Sequence, residues 1–554
     1  MRTYDDKMFI DTFEHSYTWL NGFKRNVNRF ADRLALIDPE RNISLTYKQL
    51  DCQANRLASA LQKDGLGKND LVMTALYNSP EFAISYIGPR KIGAIMLAAN
   101  FNLASGEMTM LIDHNKPKVL IYSAAIRDVV IESVLNCKYK PGRLVMADNI
   151  RNIEVAAGHI PYEDYVKSSS QSEPKVNFRP HIYDEVLRLC TSGTTALPKC
   201  VPINDINEVL SAHDVIMHYP LDFHDVTLNL TPWFHRGGCH SGGPGPIFYV
   251  GGTVLVMRNF LPQTALEWVS KYSITFMMGA PANLELLSQA QQKKSFDLKS
   301  LKGIVTMGGP LSKADCIRYM KVLTPNIFNG YGTTESFWNS FLRPFNLPEK
   351  AGSAGGSCLD DEVRLVKLYD NKRAEPDDTV PKDSVSEGEI IIFSPGKTTY
   401  SYYNNEEMAK EKFYKGWLYT GDVGTWDSLS FVTIKGRKDD MMVVSGENIY
   451  PSQVEEVILE SPRVKDCIVT SVEDRLRGQA VCAYIVPEDK SVTIEEISSF
   501  CKNSPLLSKY KRPRYFALID DIPLSATGKK RHSQMKKRSQ ADLASGLLRK
   551  AVAT

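Results

Sequence analysis

No apolar stretch in the 554 residues approaches the ~18–20 residues that a membrane-spanning helix needs, so no membrane span is expected. The opening MRTYDDKMFIDTFEH has adjacent acids where a secretory leader has a basic and then an apolar segment, which predicts no signal peptide. The ten cysteines (Cys52, Cys137, Cys190, Cys200, Cys239, Cys316, Cys358, Cys467, Cys482 and Cys501) contain no C-x-x-C pair. Their scatter argues against a zinc ribbon or a disulfide framework and predicts a reducing, cytoplasmic setting. A net charge of +3 is close to neutral for this length and by itself neither demands nor excludes nucleic acid. Internal repeats, long low-complexity tracts and the Walker A spacing G-x-x-x-x-G-K-[ST] are all missing. What remains, 43% hydrophobic and 24% charged residues, is the composition of a globular chain long enough for two or more domains.

From about residue 45 to 330, short β-rich runs alternate with helix-period segments. DEVLRLC (184–190), TVLVM (253–257), ITFMM (274–278) and GIVTM (303–307) read as buried strands. TALEWVSKY (264–272) and SKADCIRYMKVL (312–323) place apolar residues three and four apart, which is helical spacing. Such alternation predicts an α/β fold, a large N-terminal domain of mostly parallel, helix-flanked sheets. The Pro-rich stretch 371–388 reads as a surface loop. Past residue 438 the pattern changes to that of a small α+β domain, so the boundary is set at 1–438 and 439–554. The residues from Ala541 on read as a helical or frayed tail.

Between strand and helix patterns lies LCTSGTTALPKCVPIN (189–204). Thr191, Ser192, Gly193, Thr194 and Thr195 offer hydroxyls and unobstructed backbone N–H groups, and Lys199 adds a cation. Bare backbone at the carboxyl end of a strand is where open α/β sheets take anionic ligands; an ordinary Ser/Thr-rich turn has the same composition. TSGTTALPK resembles the phosphate-loop signature of adenylate-forming enzymes, which include acyl- and aryl-CoA synthetases. Further blocks similar to that family follow in order: PWFHRGG (232–238), GGPLS (308–312), NGYGTTE (329–335), GWLYTGDVG (416–424), GRKDDMMVVSGENIYPSQVEE (436–456) and PLSATGKK (523–530). With SLTYKQLDCQANRLASAL (44–61), the resemblance covers nearly the whole chain.

The resemblance implies a two-step reaction. A carboxylate attacks the α-phosphate of ATP to give acyl-AMP, and a thiol, usually that of coenzyme A, then displaces AMP. It implies that 191–199 hold the β- and γ-phosphates, that Gly308, Gly309 and Pro310 form an adenine-side turn, and that Tyr331 stacks on adenine. Gly332 keeps the backbone close, Thr334 donates to the α-phosphate, and Glu335 ligates Mg²⁺, a hard cation suited to one carboxylate plus phosphates. Asp422 is assigned to both ribose hydroxyls, with Arg437 beside it at the ribose or phosphate. Lys529 is implied as the catalytic lysine on a mobile C-terminal domain that hinges at Asp439 and brings Gly446 to the pantetheine arm. The lysine could be confused with its neighbour Lys530. A basic tail (529–538) that is merely solvated or binds nucleic acid is the competing reading of that cluster; nucleic acid is not expected as a partner.

His235 is placed at the acyl pocket or its gate, together with Trp233, Gly237, Gly238, Ala280, Met307, Gly330, Phe337 and Trp338. Two tryptophans and a phenylalanine suit a compact ring or a short-to-medium acid. No Asp occurs between 235 and 283 to pair with an amino group, which weighs against an amino acid. His235, Cys239 and His240 lack a further ligand at metal spacing. The chain departs from the family at Ala196 and Cys200, where glycine is usual, and at Gln479, where a glutamate often stands. The expected partners are a small carboxylic acid and coenzyme A, with an acyl-carrier phosphopantetheine as the alternative acceptor and a monomer or homodimer as the assembly. If Asp439 is the hinge, Asp439→Pro spares adenylate formation and cripples thioester formation. Equal losses in the two half-reactions, measured as pyrophosphate release and thioester yield, would remove that assignment.

Overall fold

Apolar runs buried on both faces become parallel strands when amphipathic helices cover them. The computed structural model describes residues 5–191, 199–309, 311–369, 372–438, 442–449, 451–523, 530 and 532–550. In one sheet of nine strands the order is Gly356–Ser357, Phe337–Leu342, Ile327–Thr333, Gly303–Met307, Phe276–Gly279, Val226–Asn229, Thr253–Leu255, Leu34–Asp38 and Ile43–Thr46. Its centre is parallel, from the Ile304–Ile327 register to the Leu36–Val254 register. Every residue of Gly303–Met307 is buried, as its GIVTM sequence requires.

A second sheet has seven strands in the order Ile160–Pro161, Arg143–Ala147, Val119–Ser123, Leu71–Ala75, Ile95–Ala98, Glu185–Thr191 and Lys199–Asn204. All its pairs are parallel except the last, where Thr191 returns opposite Lys199. Helices start where capping residues allow. Thr46 accepts from the Gln49 N–H and Gln49 answers to the Thr46 N–H, so the strand Ile43–Thr46 turns directly into the helix Tyr47–Lys63.

A third sheet, built from Glu362–Val366, Gly388–Phe393, Phe413–Tyr414, Trp417–Trp426 and Val432–Arg437, is antiparallel throughout, so the mostly parallel expectation describes only the two larger sheets. The small C-terminal unit carries its own mixed sheet, from Met442–Val444 to Arg549–Lys550, with helices including Pro451–Leu459, Ile494–Asn503 and His532–Ala544. From Ala541 the chain stays helical to Ala544, as one of the two expectations had it, and Arg549–Lys550 then pairs as a strand with Tyr515 and Phe516. The proposed boundary residue Asp439 lies outside the described residues.

The expectation of no disulfide is overturned at one place. Cys190 and Cys200 are bonded across the return from Glu185–Thr191 to Lys199–Asn204, their Cα atoms 4.0 Å apart. Scattered spacing hides such a pair because antiparallel register, not sequence distance, brings the thiols together. Cysteine usage therefore no longer argues by itself for a reducing compartment.

The large unit also buries charge. Glu208 accepts from Tyr86 Oη, lies 2.5 Å from Arg90 Nη2 and 2.5 Å from His240 Nε2, and is fully enclosed. Burial pushes its carboxyl up, but His240 and Arg90 outweigh that and hold it far below the usual range. Glu208→Gln leaves the buried Arg90 guanidinium underpaired and is expected to lower stability by about 3–5 kcal/mol, read from the urea midpoint of the large unit. A change under about 1 kcal/mol would mean that the cluster is already compensated elsewhere.

Candidate active site

The carboxyl ends of both parallel sheets open into one cleft of ≈ 1990 Å³. That exceeds the ~300–1,000 Å³ of a typical single-ligand pocket and leaves room for more than one bound group. At its seven-stranded side stand Thr191 and Lys199, the last and first residues of paired strands. Ser192, Gly193, Thr194 and Thr195, with Ala196, lie outside the described residues.

Lys199 Nζ reaches the Glu335 carboxylate, and Tyr402 Oη donates to the same Oε1 at 2.6 Å. The Lys199 ammonium also sits 4.6 Å from the Tyr402 ring centroid. Glu335 is only 7% exposed. Burial pushes its carboxyl up, while Lys199 and the Tyr402 hydroxyl more than offset that and hold it down at about 2. Tyr402 was missed in the sequence because 67 residues separate it from Glu335 and nothing local marks it.

NGYGTTE forms the end of Ile327–Thr333 and the turn beyond it. A bulge between Tyr331 and Gly332 turns the chain, and a Cβ at Gly332 would lie 1.5 Å from the Phe337 carbonyl oxygen, so only glycine fits. Tyr331 Oη donates to Asp422 Oδ2 at 2.6 Å. Asp422 faces Arg437 across Trp417–Trp426 and Val432–Arg437; Arg437 is described along its backbone only. Gly308, at φ +77°, and Gly309 line the cleft beside them, whereas Pro310 lies outside the described residues. The Thr334 carbonyl accepts from Arg236 Nη1 at 2.6 Å. Arg236 is buried, and its other contacts are the Ser211 hydroxyl and the Lys397 carbonyl. Burial brings its guanidinium down to about 10 despite Glu208 and Glu335 nearby. Sequence reasoning had given Arg236 no role.

His235, Gly237, Gly238, Ala280, Met307, Gly330, Phe337 and Trp338 all line the cleft. Trp233 does not. It is 1% exposed, its backbone N–H donates to Asn78 Oδ1 at 2.8 Å, and its ring packs edge-on against Phe82, so it supports the wall from behind. His240 pairs with Glu208 instead of turning toward His235. Burial pushes the Cys239 thiol up, away from a reactive thiolate.

The small unit enters the same cleft through the hairpin Met442–Val444 and Glu447–Ile449, whose turn residues Ser445 and Gly446 have φ of 53° and 84°. Glu447 Oε1 lies 3.1 Å from His235 Nε2, and Asn100 Nδ2 donates to Glu447 Oε2 at 3.2 Å. Neither Glu447 nor Asn100 was anticipated, because the contact exists only between separately folded units. Gln479 Oε1 accepts from the Val443 N–H at 3.0 Å, so it braces the hairpin. Lys529 lies outside the described residues. Lys530 is engaged by Asp466 at 2.9 Å and the Cys467 carbonyl at 2.6 Å, within the small unit.

A family model described as "AMP-binding enzyme" matches residues 23–403, and one described as "AMP-binding enzyme C-terminal domain" matches 453–529. An indoleacetate–CoA ligase of Aromatoleum aromaticum is 28% identical over 515 residues, spanning 91% of this chain and 94% of the relative. A 2-succinylbenzoate–CoA ligase of Bacillus licheniformis is 28% identical over 510 residues, spanning 92% and 98%. Among solved structures, o-succinylbenzoate CoA synthetase from Bacillus subtilis superposes with a TM-score of 0.80 at 24% identity, over 94% of this chain and 98% of that one.

The depressed Glu335 carboxyl makes a pH prediction. Its ordinary value is 4.5, so its stabilising charge is complete above that pH and is lost as the pH falls toward about 2. Between pH 6 and 3.5 the stability gap between wild type and Glu335→Gln should narrow by about 1.4 kcal/mol in paired urea titrations. A gap that stays constant would mean that Glu335 titrates normally.

Proposed function

The chain belongs to the AMP-binding enzyme family, whose two models span its large and small units, and from that premise we propose how the cleft carries out acid activation. The protein is an AMP-forming acid–CoA ligase. Its substrate is a compact carboxylic acid, alicyclic, aromatic or of short to medium chain. The observation that supports this reading most is the arrangement along one cleft: Lys199 and Glu335, the latter braced by Tyr402, at one side, the Tyr331–Asp422 pair at another, and the Gly446 turn entering between units.

In the first half-reaction a carboxylate oxygen bonds to the α-phosphorus of ATP, and the bond to the pyrophosphate oxygen breaks. Negative charge builds on the phosphate oxygens, so positioned cations and donors accelerate the step. Lys199 and the backbone following Thr191 take the β- and γ-phosphates. Tyr331 stacks on the base, and Asp422, already accepting from Tyr331 Oη, takes the ribose hydroxyls. Arg236 fixes the Thr334 carbonyl, which leaves the Thr334 hydroxyl to face the α-phosphate.

Glu335 fits a hard divalent cation: it is a buried, ionised carboxylate, and Lys199 now supplies the positive charge it requires. Mg²⁺ bound there would neutralise developing phosphate charge. Lys529 neutralises the carboxylate and α-phosphate when the small unit turns about Asp439.

In the second half-reaction the thiolate of coenzyme A attacks the acyl carbon and AMP leaves. Gly446 lets the pantetheine arm pass close to backbone, since nothing among the described residues lies within 4 Å of a Cβ placed there. Glu447 holds the His235 ring to one side of that path. This arrangement is the one suited to thioester formation.

Pyrophosphate release, measured against a panel of carboxylic acids with and without coenzyme A, tests the reading. Acid-dependent release and coenzyme A-dependent thioester are expected. Lys529→Ala should slow release at least about 100-fold while sparing thioester formation from added acyl-adenylate. Release that needs no acid, or that survives the lysine change at full rate, would overturn it.

A further inference from the structure

Trp338 lines the cleft, and its packing is constrained on several sides. The strands Ile327–Thr333 and Phe337–Leu342 run antiparallel, with Gly330 opposite Phe341 and Gly332 opposite Trp338. The indole crosses back over Gly330: a Cβ there would lie 2.8 Å from Trp338 Nε1 and 3.1 Å from Phe341 Cε2. Glycine at 330 therefore lets the ring lie flush against the strand, closing the space that any side chain would hold open.

The ring is clamped from several directions. It stacks on Phe337 at 4.9 Å and 14°, and meets Phe341 at 4.5 Å. The Trp338 carbonyl accepts from Lys397 Nζ, whose ammonium is fixed at 2.8 Å by both Asp214 and Asp361. Trp338 faces the cleft yet is only 3% exposed. Behind it stands Tyr219, 6.0 Å away between ring centroids; Tyr219 does not border the cleft, and its buried hydroxyl has no hydrogen-bond partner among the described residues.

We propose that Trp338 is the specificity-determining stop of the acyl pocket: its indole, seated on Gly330, limits substrates to compact acids and shuts off the aromatic layer around Tyr219. This rests on the acid-ligase reading above. An apolar pocket discriminates by size through contact and exclusion, about 10–200-fold per methylene, so a rigid ring at the end wall has a large lever. Removing it opens a path lined by aromatic faces to longer or fused-ring acids.

The test compares wild type, Trp338→Ala and the milder Trp338→Phe with straight-chain acids of increasing length, and with benzoate and naphthoate. The kcat/KM ratio of long to short acids is expected to rise at least about tenfold in Trp338→Ala and by less in Trp338→Phe. A ratio within twofold of wild type in both variants, each folded by circular dichroism, overturns the proposal, as does a wild type that already uses hexadecanoate as well as hexanoate. Gly330→Ala alone should unseat the indole and lower turnover of every acid, and Trp338→Ala should rescue it; an unrescued double variant counts against the seating. Calorimetric titration of the same acids separates this from the wider reading. A protein inert with every acid defeats the ligase reading, whereas tighter binding of long acids to Trp338→Ala still supports the wall, and unchanged binding overturns it.

Discussion

A carboxylate sealed from water stays ionised only if a cation or strong donors compensate its lost hydration, and the contact of Lys199 with Glu335 meets that condition here. The two residues come from different sheets. Lys199 begins the antiparallel edge strand of the seven-stranded sheet, and Glu335 follows the last parallel strand of the nine-stranded one. Both line the cleft, and their meeting sets a buried, ionised carboxylate in its wall. That pairing keeps the carboxylate charged before any ligand arrives. Tyr402 completes the arrangement from a third segment, giving the same carboxylate a short neutral donor.

Around that contact, groups that need touch no ligand hold the walls in place. Arg236 ties the Thr334 carbonyl to the helix Asp205–His218 through Ser211, and to the Lys397 carbonyl. Lys397 in turn holds the strand that carries Trp338. Asp214, His218 and Cys358 cluster within metal-ligand reach of one another, but Lys397 and Arg343 already supply the positive charge there, at 2.8 Å from Asp214 and 2.6 Å from His218. Buried polar chains of this kind give a site a single geometry because any rearrangement strands a charge in low dielectric.

The contacts between the units that bear on the cleft are different in character. Glu447 meets His235 and Asn100, and Lys511 meets Glu107. Such polar contacts, set between units with separate apolar cores, are of the sort that can exchange partners when one unit turns on the other. That suits a reaction whose two steps require different groups at one place.

Local signals carried much of this architecture. Buried strands such as GIVTM, the glycine at 332 and the ordered family blocks were legible because each depends on neighbours within a few residues. The antiparallel third sheet, the Cys190–Cys200 bond, the withdrawal of Trp233 behind the wall and the roles of Tyr402, Arg236 and Glu447 were not. The sequence by itself determined the residue types and the order of the chemical blocks, since backbone freedom, periodicity and charge are local properties. Only the tertiary structure decided which groups meet, because register and packing join residues across tens to hundreds of positions, and desolvation then sets what their charges can do.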